Sequence, residues 1–171
     1  MIFLYSAGTN TSRSTSTGML YFLSKYSEVR QAVSDDILKN LLGGRWENLT
    51  ANPSMEVDWD KCEVVDKFFK EVQRKEGISD VLFYRTCTKT HKLGEITIKK
   101  GTIVNYSPYH LHHSTKYFEK PEEFDITRFE PENLKRIPRR AFMPFHEGSR
   151  GCAGIYLGQF MVKSVLLSVL S

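Results

Sequence analysis

The sequence predicts a mainly α-helical domain with a small β-hairpin, and three stretches carry that expectation. Met19, Leu20, Phe22, Leu23, Tyr26, Val29 and Val33 recur at intervals of three and four, the stripe of an amphipathic helix. Val65, Phe68, Phe69 and Val72 repeat the pattern further on. Glu95 to Lys99 and Thr102 to Tyr106 each alternate in polarity on either side of Lys100-Gly101, which reads as two short strands joined by a turn.

The first stripe extends backward toward Ile2, so the opening helix is expected over residues 1–34. No Ser, Thr, Asp or Asn stands ahead of Ile2 as a cap, and the helix is expected to start upstream of the chain. Gly43-Gly44 marks a break, and Arg45 to Trp59, with Asn52-Pro53 inside it, lacks any period and reads as a loop. The second helix is expected over residues 61–76. In it Glu71 and Arg74, three apart, share a face.

Residues 92–144 hold the hairpin and then a long stretch punctuated by Pro108, Pro121, Pro131, Pro138 and Pro144. It is too long for an ordinary connection and reads as a self-packed meander. Ile155 to Leu170 is strongly apolar but broken by Lys163, and falls short of the roughly 20 residues a bilayer span needs. It reads as a buried helix with no cap after it. Two uncapped apolar ends suggest a fragment of a larger fold, because burial of the apolar face supplies most helix stability.

Composition narrows the classes of function. The 171 residues carry 24 Lys+Arg against 20 Asp+Glu, a net charge of +4 without a block of like charge, which gives no support to a nucleic-acid partner. Ile2-Phe3-Leu4-Tyr5 is too short for a secretory signal core, so neither a targeting nor a membrane segment is expected here. Cys62, Cys87 and Cys152 are odd in number and lack C-x-x-C spacing. Neither a disulfide framework nor a four-cysteine zinc site is expected. His110, His112 and His113 invite a metal reading, and on an extended segment the first two would point the same way. No third ligand stands at a zinc-like spacing, so solvated or capping roles are the expectation.

One segment carries chemistry. Phe145-His146-Glu147-Gly148-Ser149-Arg150-Gly151-Cys152-Ala153-Gly154 sets a cysteine on a glycine-rich loop just ahead of the apolar helix. The unpaired N–H groups and partial positive charge of a helix N-terminus, with the Arg150 guanidinium, favour a thiolate there. Gly148 and Gly151 allow positive φ angles, and Gly154 leaves room for something flat. Read alone, a Gly-Cys before a helix could equally be packing.

These ten residues resemble the F-x-x-G-x-R-x-C-x-G haem-ligand loop of the cytochrome P450 family, fitting all five fixed positions. In that family a cysteine thiolate holds the haem iron. Three upstream segments resemble other family motifs in the family's order. Ala7-Gly8-Thr9-Asn10-Thr11-Ser12 is similar to the oxygen-binding A-G-x-[D/E]-T-[T/S], with Asn10 in place of the usual acid. Glu71-Val72-Gln73-Arg74 matches E-x-x-R, and Phe124 to Phe129 is similar to the meander segment whose arginine, here Arg128, completes a Glu-Arg-Arg triad. Phe118 to Phe124 fits the accompanying F-x-x-P-x-x-F.

The resemblance implies that residues 1–171 form the carboxyl-terminal portion of the cytochrome P450 fold: an oxygen-binding helix (1–34), the E-x-x-R helix (61–76), a hairpin and meander (92–144), and the haem-ligand loop with its helix (145–171). It implies haem (iron protoporphyrin IX) as cofactor, with Cys152 as axial ligand to the iron. Arg150 and Arg85 would meet the haem propionates, and Phe145, Gly148, Gly154, Ala7 and Gly8 would line the cofactor. Thr11 and Asn10 fall at the proton-delivery position, where an amide cannot titrate. Glu71, Arg74 and Arg128 would hold the meander.

The implied reaction is monooxygenation, one atom of dioxygen entering a small apolar organic substrate and the other forming water, with electrons from a reductase. Two further readings stay open. The chain could be a non-catalytic or incomplete fragment that keeps the motifs without a closed pocket. Asn10 also leaves room for a haem-thiolate isomerase or peroxygenase. Eukaryotic members often carry an amino-terminal membrane anchor, which no segment here resembles.

Overall fold

The computed structural model describes residues 2–49, 57–77 and 84–171. Among these described residues, six helices and two small strand pairs are arranged around helix α3. In order they are α1 (Ile2–Lys25), α2 (Ser27–Asn40), α3 (Glu63–Glu76), β1 (Tyr84–Thr86), β2 (His91–Leu93), β3 (Ile96–Ile98), β4 (Ile103–Asn105), α4 (Pro108–His112), α5 (Pro131–Leu134) and α6 (Ile155–Leu170). Single 3-10 turns lie at Trp46–Asn48, Trp59–Lys61 and Ile126–Phe129. The expected Asn52-Pro53 loop falls outside the described residues.

The stripe that suggests one helix through residue 34 is divided. Tyr26, at φ −118° and ψ 89°, leaves the helical region and separates α1 from α2. Hydrogen bonds bridge the break, from Tyr26 N–H to the Phe22 carbonyl (2.9 Å) and from Arg30 N–H to the Tyr26 carbonyl (3.0 Å). The three-and-four spacing therefore runs on through a change of direction. The bend lets the Tyr26 and Phe22 rings both stack on Phe124 of the meander, with centroids 5.1 and 4.1 Å away.

Helix α3 carries the most sharply two-faced pattern, and its apolar side supplies Val65, Phe68, Phe69 and Val72 to the core. They meet Met19, Phe22 and Leu23 of α1, Val33 and Ile37 of α2, and Val162, Leu166 and Leu167 of α6. Each fully buried side chain of this size stabilises the fold by about 1.5–3 kcal/mol. Gly18 sets the closeness of α1 to α3, since a Cβ there would lie 3.3 Å from Val72 Cγ1. The buried Gln73 side chain donates to Thr15 Oγ1 across the same seam (3.3 Å).

The start of α3 is capped from a distance. Asp36 of α2 accepts from the N–H groups of both Val64 (2.8 Å) and Val65 (3.0 Å), covering donors that a helix N-terminus leaves unpaired. At the far side, Lys163 is the residue that interrupts the apolar run of α6. It is buried, reaches Asp66 of α3 (3.5 Å) and lies over the Phe69 ring. Among the described residues no helix is long and apolar enough to cross a membrane.

The strands are present, but the expected hairpin partners do not pair with each other. The chain reverses at Lys100-Gly101, after which β4 pairs antiparallel with β1, setting Arg85 opposite Val104. β3 pairs instead with β2, setting Leu93 opposite Ile96. Gly94, at φ +58°, makes that tight turn possible. Both partner strands are three residues long and wholly exposed, so burial imposes no alternation on them.

Candidate cofactor site

The cysteine loop is anchored at its entry and locked inside. Phe145 is half-buried and its ring stacks with Phe69 of α3, centroids 6.4 Å apart. Two residues earlier, Met143 N–H donates to Nε2 of the buried His112 (3.1 Å). Within the loop Gly148 adopts φ +81°, a conformation only glycine takes freely. Gly151 N–H then donates to the Gly148 carbonyl (3.0 Å) and Cys152 N–H to the Phe145 carbonyl (2.9 Å). The loop closes on itself and presents Cys152, exposed and free, two residues ahead of the α6 cap Gly154.

Arg85 and Arg150 are both exposed. Arg85 lies on β1 beside the cysteine loop, where its positive charge acts on His146. Burial first, and then the Arg85 charge, pull the His146 imidazole below its ordinary value of 6.5. Burial raises the Tyr106 hydroxyl above its ordinary value, with Arg85 opposing.

The segment Ala7 to Ser12, which resembles an oxygen-binding motif, lies on α1, and α1 packs against α6. The helix stays regular α through Ala7 to Ser12, where the glycine and hydroxyl content allows a bulge. Instead the half-buried Thr11 hydroxyl donates to the Ala7 carbonyl (2.7 Å), and the Asn10 amide donates to Ser6 Oγ (3.2 Å). An open groove of about 550 Å³ between the two helices is lined by Thr9, Ser12 and Arg13 on one side and Phe160 and Met161 on the other. Ala7, Gly8, Asn10 and Thr11 are not among its lining residues.

The acid–base pair of α3 is wholly buried. Arg74 donates from Nε and Nη2 to the two Glu71 oxygens, both at 2.7 Å. Its remaining donors reach the carbonyls of His112 (2.9 Å), Pro121 (2.8 Å) and Glu123 (3.0 Å). All five guanidinium N–H groups are thereby used. Arg128 Nε stands 3.6 Å from Glu71 Oε1, while its Nη groups donate to the carbonyls of Glu119 and Lys120. Asp125 N–H also donates to Glu71 (2.9 Å).

The histidine cluster is not extended. It occupies the short helix α4, opened by Pro108 and capped by Ser107, so His110 and His112 diverge. His110 Nδ1 is bonded to Ser107 Oγ (2.6 Å), and His113 Nδ1 to the Tyr109 carbonyl (3.0 Å). Sequence reasoning missed that His112 braces the approach to the cysteine loop, as it missed Asp36 and Lys163. A five-residue helix gives too little periodicity to place a buried face.

The family model described as Cytochrome P450 matches residues 1–171. This chain belongs to the cytochrome P450 family. It is 33% identical over 166 residues to Cytochrome P450 6j1 of Blattella germanica, covering 96% of this chain and 32% of that protein. It is 31% identical to Cytochrome P450 3A2 of Rattus norvegicus (99% and 32%) and 32% identical to Aromatase of Mus musculus (89% and 27%). The chain thus spans about a third of the length of the curated relatives it matches.

Cytochrome P450 proteins carry haem, and the residues present fit that group. An iron porphyrin calls for a soft axial donor and for cations opposite its two carboxylates. The exposed Cys152 thiol and the exposed Arg85 and Arg150 guanidinium groups are of the kinds that could supply them. A methyl group placed on Gly8 or Gly154 would meet no atom within 4 Å, so open space fronts both.

Proposed function

We propose that this cytochrome P450 segment supplies the cysteine side of a haem-dependent monooxygenase. Cys152 would be the axial ligand of the iron, and the reaction would insert one atom of dioxygen into a small apolar substrate using reductase electrons. The observation that carries the reading is the exposed Cys152 thiol, held by a loop whose backbone is closed at Phe145. When bound, haem supplies the activation of dioxygen.

The chain's own residues bind and orient. Cys152 would hold the iron through its exposed sulfur. Arg150 and Arg85 offer planar donor forks to carboxylates, while Phe145, Gly148, Gly154, Ala7 and Gly8 would line the cofactor. Thr11 can hold a proton at Oγ1 for delivery, and the Asn10 amide can orient it but not release one. Glu71, Arg74 and Arg128 act at a distance by fixing the meander.

A reduced carbon-monoxide difference spectrum of the natural-length protein tests the reading. A thiolate-type band is expected, lost in Cys152→Ala; haem retained unchanged in that variant would overturn it. A second reading, an incomplete segment without a closed pocket, is favoured by the open groove between α1 and α6. It predicts that the 171 residues alone take up no haem while the natural-length protein does. The Asn10 substitution favours isomerase or peroxygenase chemistry if turnover proves independent of reductase.

A further inference from the structure

The cysteine loop has a second attachment that its motif does not specify. Position 146 is a free position in F-x-x-G-x-R-x-C-x-G, yet here it holds a histidine at φ +60°, a region that side chains other than glycine rarely occupy. The His146 ring is fixed there by Tyr106. The Tyr106 hydroxyl is hydrogen-bonded to His146 Nδ1, and the rings meet edge to face with centroids 5.4 Å apart at 74°.

Tyr106 directly follows β4, the strand paired with the one that carries Arg85. The contact therefore joins the strand pair to the loop. Its effect on the cysteine follows from backbone geometry. Rotation about φ of residue 146 turns the peptide unit that contains the Phe145 carbonyl, and that carbonyl accepts the Cys152 N–H (2.9 Å). A ring held in place holds φ, φ aims the carbonyl, and the carbonyl fixes the Cys152 backbone.

We propose that Tyr106 and His146 are a positioning pair that locks the cysteine loop to the β1–β4 ladder and so sets the Cys152 sulfur relative to Arg85. The proposal rests on the reading of Cys152 as the haem ligand. Neither residue touches the reacting atoms in this role. Burial and the Arg85 charge favour the neutral His146 ring, in which one nitrogen can accept a hydrogen bond from the hydroxyl.

The test uses the natural-length haem-loaded protein with Tyr106→Phe, His146→Ala, His146→Gly and the Tyr106→Phe/His146→Ala double variant. Two quantities are read: the rate of haem transfer to an excess of scavenging apoprotein, and the share of ferrous carbon-monoxide complex in the thiolate form. Tyr106→Phe and His146→Ala should each speed haem loss roughly fivefold and lower the thiolate share. The double variant should be no worse than His146→Ala. His146→Gly should recover part of the loss relative to His146→Ala, because glycine adopts φ +60° without strain.

Additive single effects, or a Tyr106→Phe variant identical to wild type, would overturn the pair. If wild type shows no thiolate form, the ligand reading fails by itself. The pair is then judged by amide hydrogen exchange of the peptide spanning 145–152, expected to quicken roughly fivefold in Tyr106→Phe. Unchanged exchange would refute it.

Discussion

Two thiols of this chain are separated by their surroundings. Burial, reinforced by the Asp36 carboxylate, pushes the Cys62 thiol up to about 11 from an ordinary 9.0, while Cys152 stands exposed. Alkylation at neutral pH followed by mass spectrometry should mark Cys152 roughly tenfold or more faster than Cys62, which is a poor nucleophile as a buried thiol. The same shift has a stability consequence. Above pH 9 the unfolded chain releases a proton that folded Cys62 keeps, so stability falls as pH rises from 9 toward 11. His146 acts at the other end of the scale. Its folded value lies below 6.5, so as pH falls through 6.5 the unfolded chain gains a proton first and stability declines. Replacing Arg85 with Gln should raise the His146 value, measurable by NMR titration of its ring protons.

Helix α3 is capped at its start by a side chain from α2 and carries a buried ion pair near its end. Asp36→Ala should destabilise the fold by about 0.5–2 kcal/mol in urea unfolding, because two N–H groups lose their acceptor. Arg74→Ala should cost about 3–5 kcal/mol, since the Glu71 carboxylate is left buried without its partner. Glu71→Ala should do similar harm by stranding the guanidinium. What could be read of these elements from sequence follows their physics. The stripe Val65, Phe68, Phe69, Val72 announced α3 because a half-buried helix must repeat every three to four residues. The cysteine loop was legible through its resemblance to a family motif, since a Gly-Cys ahead of a helix could equally be packing. The bend at Tyr26 was not legible, since hydrogen bonds continue across it. Nor was the partnering of β3 and β4, because exposed three-residue strands carry no burial pattern. The buried roles of His112 and Lys163 depend on contacts with residues 31 and 97 positions away, which no local pattern encodes.

At the scale of the molecule, one face of α6 is left without a cover among the described residues. Leu157, Met161, Val165 and Val169 stand four residues apart on it and are all exposed, as are Tyr156 beside them and Tyr5 on α1. Such a ridge exceeds the scattered apolar side chains ordinary on a soluble surface. The 171-residue chain alone is expected to bind a hydrophobic dye and to self-associate in light scattering, and Met161→Lys with Val165→Lys should reduce both. The inner side of the molecule is organised in the opposite way, around a charge. Arg74 gives three of its five donors to main-chain oxygens of residues 112, 121 and 123, so a stretch of polypeptide stands in for the hydration shell of an ion. That substitution fixes the contour length of the meander: an inserted residue between 113 and 117 could bulge into solvent, whereas one between 121 and 123 would pull an oxygen away and leave the cation dry.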